Sequence, residues 1–368
     1  MVSTIYTLFI IPNNITFNKN MKIVLLIIFI IVIVTIVFFF AKKKSQLIND
    51  KYFFAKKKRI ELSKIYFKET YKSCNDVVFS SSHGLLMDAS IVCNILKDIQ
   101  IPSHFYYEIY DNKYPPEESY LFPNLDVTDF QALIKDEKSP HTIFCKTEQS
   151  YNIISSMFKN KNVVFTGFTS IDKYNPKIKK DYRKYIHIAG QSPWKGTISI
   201  VKAWLLNPQY PKLHLISRKN TKIYEELKEL LNSSHNIKLY DEYLSDEQIN
   251  NLINECGIHI CASENEGFGH YIHEARSSKS VVLYTDAPPM NEFFINEYDG
   301  FGIDAEFIKI INDICPSYQI NINSLQKLLE KIFNMDEKSL EIIGENARTS
   351  FLNMDSKFKK ILLNFFDR

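Results

Sequence analysis

Glycine is the first shortage in this chain, with 10 residues in 368, and tryptophan the second, with two. No G-x-G-x-x-G follows the first apolar run and no G-x-x-x-x-G-K-[ST] occurs anywhere, which argues against a dehydrogenase and against a P-loop enzyme. The six cysteines, Cys74, Cys93, Cys145, Cys256, Cys261 and Cys315, form no C-x-x-C pair and no His/Cys cluster at zinc-ligand spacing. They read as core residues of a protein in a reducing compartment. An excess of one charge is also missing: 45 Lys and Arg stand against 42 Asp and Glu, a net charge of +3, so no nucleic-acid surface is expected. Lys, Asn and Ile abound, which reflects base composition and carries no function.

One long apolar run is present. Residues 23–41, IVLLIIFIIVIVTIVFFFA, hold no charge and match the roughly 20 residues that cross a bilayer. A cleaved signal peptide would have a shorter apolar region and small residues at its end, which FFFAKKK does not offer. The expected layout is a tail over 1–21, a transmembrane helix over 22–41 and a basic linker over 42–72. Lys42, Lys43, Lys44, Lys51, Lys56, Lys57, Lys58 and Arg59 follow the run, whereas only Lys19 and Lys22 precede it. Positive flanks stay inside, so the chain reads as single-pass with its later domains in the cytosol; a merely solvated basic linker would leave the opposite orientation open. Asn14-Ile15-Thr16 is a glycosylation sequon close to the membrane, and Met21 is an alternative start.

From residue 73 the pattern is α/β. Apolar runs at 76–82, 103–110, 141–147 and 162–168 read as strands, with helices after the first and third. The stretch 110–124, YDNKYPPEESYLFPN, has three prolines and reads as a loop. After a polar connection at 172–184, YIHIAG, KLHLISRKN, NIKLYDEYL, GIHICAS and SVVLYTD alternate with helical segments. Two Rossmann-like domains facing a cleft follow, over 73–180 and 181–350. An amphipathic helix at 351–368 is expected to cross back to the first domain, with a membrane-surface helix as the other reading.

The chemistry concentrates in ENEGFGHYIHEARS, residues 265–278. Gly267, Phe268 and Gly269 let the backbone approach a ligand, and a helix starting near His270 turns free N–H groups and its positive end toward it. Two surface carboxylates near a helix start are the bland alternative for Glu266 and Glu274. The order IHIAGQSPWKGT, KLHLISRKN, then ICASENEGFGHYIHEARSSKSVVLYTDAPPMNE resembles the carboxyl-terminal domain of retaining GT-B glycosyltransferases of family 4, the glycosyl transferases group 1, closely over 185–295 and in outline before that.

That resemblance implies roles. Glu266 and Glu274 fill the family's Glu, seven residues, Glu motif: Glu274 toward the donor's ribose and Glu266 toward the transferred sugar. Lys195 would neutralise the leaving diphosphate, with Gly190, Ser192 and His270 completing the donor site. The family's second cation, an Arg, is replaced here by Gln191 and Ser192, leaving Arg218 as a substitute or as an exposed loop residue. His83, Gly84 and Asp88 stand where the family has its acceptor-side loop, and His141 or Lys146-Thr147 could lie nearby; Thr169, Ser170 and Asp172 sit at the domain junction and read as turn residues, with a lining of the cleft as the alternative. His270 and His273 have no third ligand at metal spacing, and the Asp-x-Asp of the other major glycosyltransferase fold is absent, so neither metal nor cofactor is expected. The implied function is transfer of a hexose from a UDP- or GDP-sugar to a glycan, lipid-linked or protein acceptor at a membrane. A GT-B-shaped scaffold subunit without catalysis is the alternative.

Overall fold

The computed structural model describes residues 77–79, 83–96, 104–107, 115–219, 221–231 and 234–366. The transmembrane helix read at 22–41 and the linker over 42–72 lie outside them. Among the described residues no helix is long and apolar enough to cross a membrane.

The first sheet holds five parallel strands in chain order: β1 (Val77–Phe79), β2 (His104–Tyr107), β3 (Ser119–Leu121), β4 (Thr142–Cys145) and β5 (Asn162–Phe165). Helices α1 (His83–Leu96), α2 (Phe130–Lys135) and α3 (Glu148–Met157) connect them. The middle strand corrects the sequence reading, since β3 falls inside the stretch taken as loop. Pro115, Pro116 and Pro123 bracket β3 and do not interrupt it, so every ladder N–H survives, and Ser119 and Leu121 are buried. Thr147 starts α3 with a reciprocal capping box to Ser150.

The second sheet runs β11 (Phe301–Ile303), β10 (Val281–Thr285), β9 (Cys256–Cys261), β6 (Asp181–Gly190), β7 (Leu213–Ser217), β8 (Ile237–Tyr240), all parallel. Every residue of β9 and β10 is buried, as parallel strands covered on both faces require. Strand β6 begins at Asp181, so the last residues of the connection read at 172–184 already belong to the sheet. Helices α4 (Thr197–Leu205), α5 (Lys222–Leu231), α6 (Asp246–Glu255), α7 (His270–Ser277) and α8 (Ile322–Phe333) cover it. Its core gathers Tyr185, Trp204, Ile258, Leu283, Phe301 and Leu329.

Two elements tie the domains together. Helix α9 runs unbroken from Glu337 to Phe366, so a boundary at residue 351 falls inside it. Its first half buries Leu340 and Ile343 in the second core, and its end buries Phe358 and Leu362 among Leu85, Phe105, Phe144 and Phe168 of the first. A hairpin unread in the sequence, β12 (Ala305–Ile311) and β13 (Cys315–Ile320), reaches the first domain with its turn. Asn312, in the left-handed region at φ 48°, donates to the carbonyls of Leu125 and Thr128, both at 2.8 Å, and Cys315 is buried among Leu125, Phe130 and Ile143.

Candidate functional site

Strand order turns outward on both sides of the neighbouring pair β6 and β9. Parallel sheets open a ligand crevice at the carboxyl ends of such a pair. The loop after β6 carries Lys195 and the loop after β9 carries Glu266, and the two side chains meet as an ion pair of Lys195 Nζ with Glu266 Oε1. Ser263 Oγ donates to the same carboxylate oxygen at 2.6 Å, and the Tyr271 ring lies under the ammonium, 3.8 Å from its centroid. Gly196 makes this approach possible: its φ is +63°, and a Cβ there would stand 2.2 Å from the Ala262 carbonyl oxygen at the end of β9. Behind it, buried His187 holds the two strands in register. Its Nδ1 donates to the Ile260 carbonyl at 2.7 Å and its Nε2 accepts from Thr197 Oγ1 at 2.9 Å, while burial holds the imidazole down to about 4 and hence neutral.

Helix α7 starts at the crevice. Gly269 precedes it with φ +87°, and no side chain caps its first turn. Glu274, one turn in, is 13 % exposed with Lys173 Nζ 4.0 Å away. Burial raises its carboxyl, and Lys173, His270 and Lys195 pull it back. Gly190 and Ser192 form the turn that leaves β6, closed by the Ser192 N–H to the Ala189 carbonyl at 3.1 Å. Arg218 joins this rim through its backbone, donating to the Gly190 carbonyl at 3.0 Å, but its guanidinium is exposed and lies over the Tyr243 ring, 5.9 Å from the centroid.

From the first domain, His83 and Gly84 open α1. Asp88, expected on the acceptor side, is buried. Its carboxylate is 2 % exposed, ion-paired with Lys146 and 2.7 Å from His270 Nε2. Because that carboxylate accepts, His270 Nε2 donates, and Nδ1 then accepts from Ser170 Oγ at 3.0 Å. Burial pushes the Asp88 carboxyl up, yet Lys146 and His270 outweigh it and leave it below the ordinary value. Both ring nitrogens of His270 are thus engaged in this joint between the domains.

The sequence reading missed two residues here, Asn124 and Asp126, on the turn after β3. Asn124 Oδ1 accepts from Lys146 Nζ at 2.6 Å, and a Cβ on Gly267 would stand 2.2 Å from Asn124 Cγ, so the first domain rests directly on the glycine turn. Asp126 keeps a buried Oδ1 without a hydrogen-bond partner among the described residues. Burial, then the charge of Glu266, raises its carboxyl to about 6 against the pull of Lys146 and Lys195. The available signal was a short Asn-Leu-Asp turn at the carboxyl end of a strand hidden by its prolines.

The remaining candidates sort by strand polarity. His141 precedes β4, at the amino end of the sheet and away from the crevice. Thr169 donates to Asp355 at 2.9 Å, and Asp172 receives both guanidinium nitrogens of Arg348 at 3.0 and 3.1 Å, so these junction residues fasten α9. Among the described residues no three His, Cys, Asp or Glu side chains are grouped to hold a metal ion.

Residues 169–350 match the family described as glycosyl transferases group 1. No curated protein sequence matches the chain. Among solved structures it is similar to TarM of S. aureus, at 17% identity and a TM-score of 0.53 over 76% of this chain and 58% of that one. It is similar to a glycosyltransferase from Rickettsia africae, at 15% identity and 0.52 over 84% and 80%. A sucrose-phosphate synthase from Thermosynechococcus elongatus gives 12% and 0.55 over 72% and 73%. At these identities the likeness is one of fold, the α/β GT-B arrangement. The chain spans 58% of the length of TarM.

Proposed function

We infer that this glycosyltransferase, whose residues 169–350 carry the glycosyl transferases group 1 domain, moves a hexose from a nucleotide diphosphate sugar to an acceptor with retention at the anomeric carbon. The observation that carries the reading is the meeting of Lys195 and Glu266 at the carboxyl ends of β6 and β9, beside the uncapped start of α7. An incoming diphosphate competes with Glu266 for the Lys195 ammonium, and charge that builds on the leaving group in the transition state strengthens that contact. Freed of the lysine, Glu266 meets the hydroxyls of the sugar. Glu274, held at the first turn of α7, accepts from the ribose hydroxyls, and the Gly267–His270 backbone cradles phosphate or sugar.

Asp126 adds an acceptor-side group. A carboxylate whose charge is costly and whose oxygen lacks a partner gains by accepting the hydroxyl of an incoming acceptor. The apolar run at 23–41 favours an acceptor at a membrane surface, lipid-linked or otherwise, with the domains on the cytosolic side. The TarM structure with UDP and α-GlcNAc-glycerol shows that such ligands occupy one protein of this fold, which favours UDP as the donor base here.

The test is donor hydrolysis and transfer by the full-length chain in detergent, with UDP- and GDP-sugars. We expect turnover with one base, abolished by Glu274→Ala while the thermal midpoint holds. A folded sample that neither binds nor hydrolyses any of these donors refutes the enzyme and leaves a scaffold of the same fold.

A further inference from the structure

On α7, Arg276 follows Glu274 by two residues, about 200° around the helix, so it points away from the donor crevice. There it lines a cavity of about 240 Å³ between the domains. Apolar walls come from Phe168 of the first domain, Phe268 and Phe293 of the second, and Phe358 of α9; Lys357 stands at the edge. This space exceeds the roughly 150 Å³ apolar cavity that takes up benzene.

Arg276 is the unexplained part. It is 2 % exposed, and its Nε is buried without a hydrogen-bond partner among the described residues. One terminal nitrogen donates to His273 Nδ1 at 3.1 Å, and the Asp299 carboxylate stays 3.9 Å from the other, beyond hydrogen-bond reach. A buried guanidinium with an unused donor is costly unless something accepts from it. Of the other charges at the cavity, Lys146 and Glu292 are already engaged. Lys146 is taken by Asp88 and Asn124. Glu292 accepts the backbone N–H groups of Glu148 and Gln149 at the start of α3, both at 2.7 Å. Glu148 also lines the cavity but is exposed, so water screens its charge. Arg276, through its Nε, and exposed Lys357 are left as the cations that can meet an anion at this aromatic chamber.

We propose that this cavity is a second ligand site, for a small organic anion that carries a phosphate or carboxylate on an apolar body of about phenyl size. The anionic group accepts from Arg276 and Lys357, and the body fills the space between Phe168, Phe268 and Phe358. Because its walls belong to both domains and to α9, an occupant favours the arrangement in which the domains are joined, and so couples to the donor crevice across α7. The site does not depend on which donor the crevice takes.

The full-length chain in detergent is titrated with phenyl phosphate by calorimetry, with and without saturating UDP. We expect saturable binding that persists with UDP, at least tenfold tighter than inorganic phosphate or benzyl alcohol alone. Arg276→Met weakens it at least tenfold and Lys357→Glu at least threefold. Absence of saturable binding by folded protein, displacement by UDP, or unchanged affinity in Lys357→Glu overturns the proposal. Lys357 is exposed, so this last outcome is readable even if Arg276→Met fails to fold.

Discussion

The two domains reach the crevice in different ways. The second delivers Lys195 and Glu266 on loops after long buried strands, with glycines where the backbone must turn; the first delivers Asn124 and Asp126 on a turn after a three-residue strand bracketed by prolines. The second domain's groups are mutually neutralised, whereas Asp126 is left with a buried oxygen unpaired. One side of the crevice is therefore stable in itself, and the other holds a cost that a ligand can relieve.

Lys195→Ala tests the first half of that contrast most severely. Removing the cation that meets the leaving group lowers kcat by about 10²–10³-fold, read as transfer rate. Gly196→Ala attacks the same loop through its backbone. A Cβ 2.2 Å from a carbonyl oxygen, at φ +63°, has no room, and stability falls by about 3 kcal/mol or more, read by denaturant unfolding.

Asp126→Asn tests the other half, with opposite signs for stability and activity. The folded protein holds the Asp126 proton up to about 6 and the unfolded chain only to about 4, so ionisation costs stability as pH rises through that window. The variant gains about 1–3 kcal/mol at pH 7 and loses transfer activity. His187 works in the reverse sense. Its folded value of about 4 lies below the ordinary 6.5, so its contribution is complete above pH 6.5 and is lost as pH falls toward 4. In the wild type the two partly cancel between pH 4 and 6; in Asp126→Asn the cancellation goes, and stability drops more steeply on acidification across that range. The smallest effect is expected at the junction: Asp172→Ala breaks a bidentate pair with Arg348 whose carboxylate is about half exposed and costs about 1 kcal/mol, measured as a small shift in Tm.

What was legible in the sequence follows the same division. Strands β6, β7, β9 and β10 announced themselves as short runs rich in β-branched and apolar residues, and the helix after ENEGFG by its glycine turn, because these are local patterns. Strand β3 was hidden because it is short and ringed by proline, and the β12–β13 hairpin because its exposed residues include Phe307, Ile308 and Ile310, which blur the alternation of a half-buried strand. His270 shows the limit most clearly. Its place at the start of α7 was readable, yet its side chain answers to Asp88 and Ser170, 182 and 100 residues away in the chain.

The sequence by itself determined the parallel α/β character of the second half, the glycine turn and the spacing of Glu266 and Glu274 on either side of a helix start, since hydrophobic period and backbone freedom act over a few residues. Only the tertiary structure decided the partners: Lys195 with Glu266, Asp88 with His270 and Lys146, Asn124 against Gly267, and Arg276 with a donor unused. Partners of buried charges are set by which strand ends and helix faces the chain topology brings within a few ångströms, and the cost of burying each charge depends on what stands there.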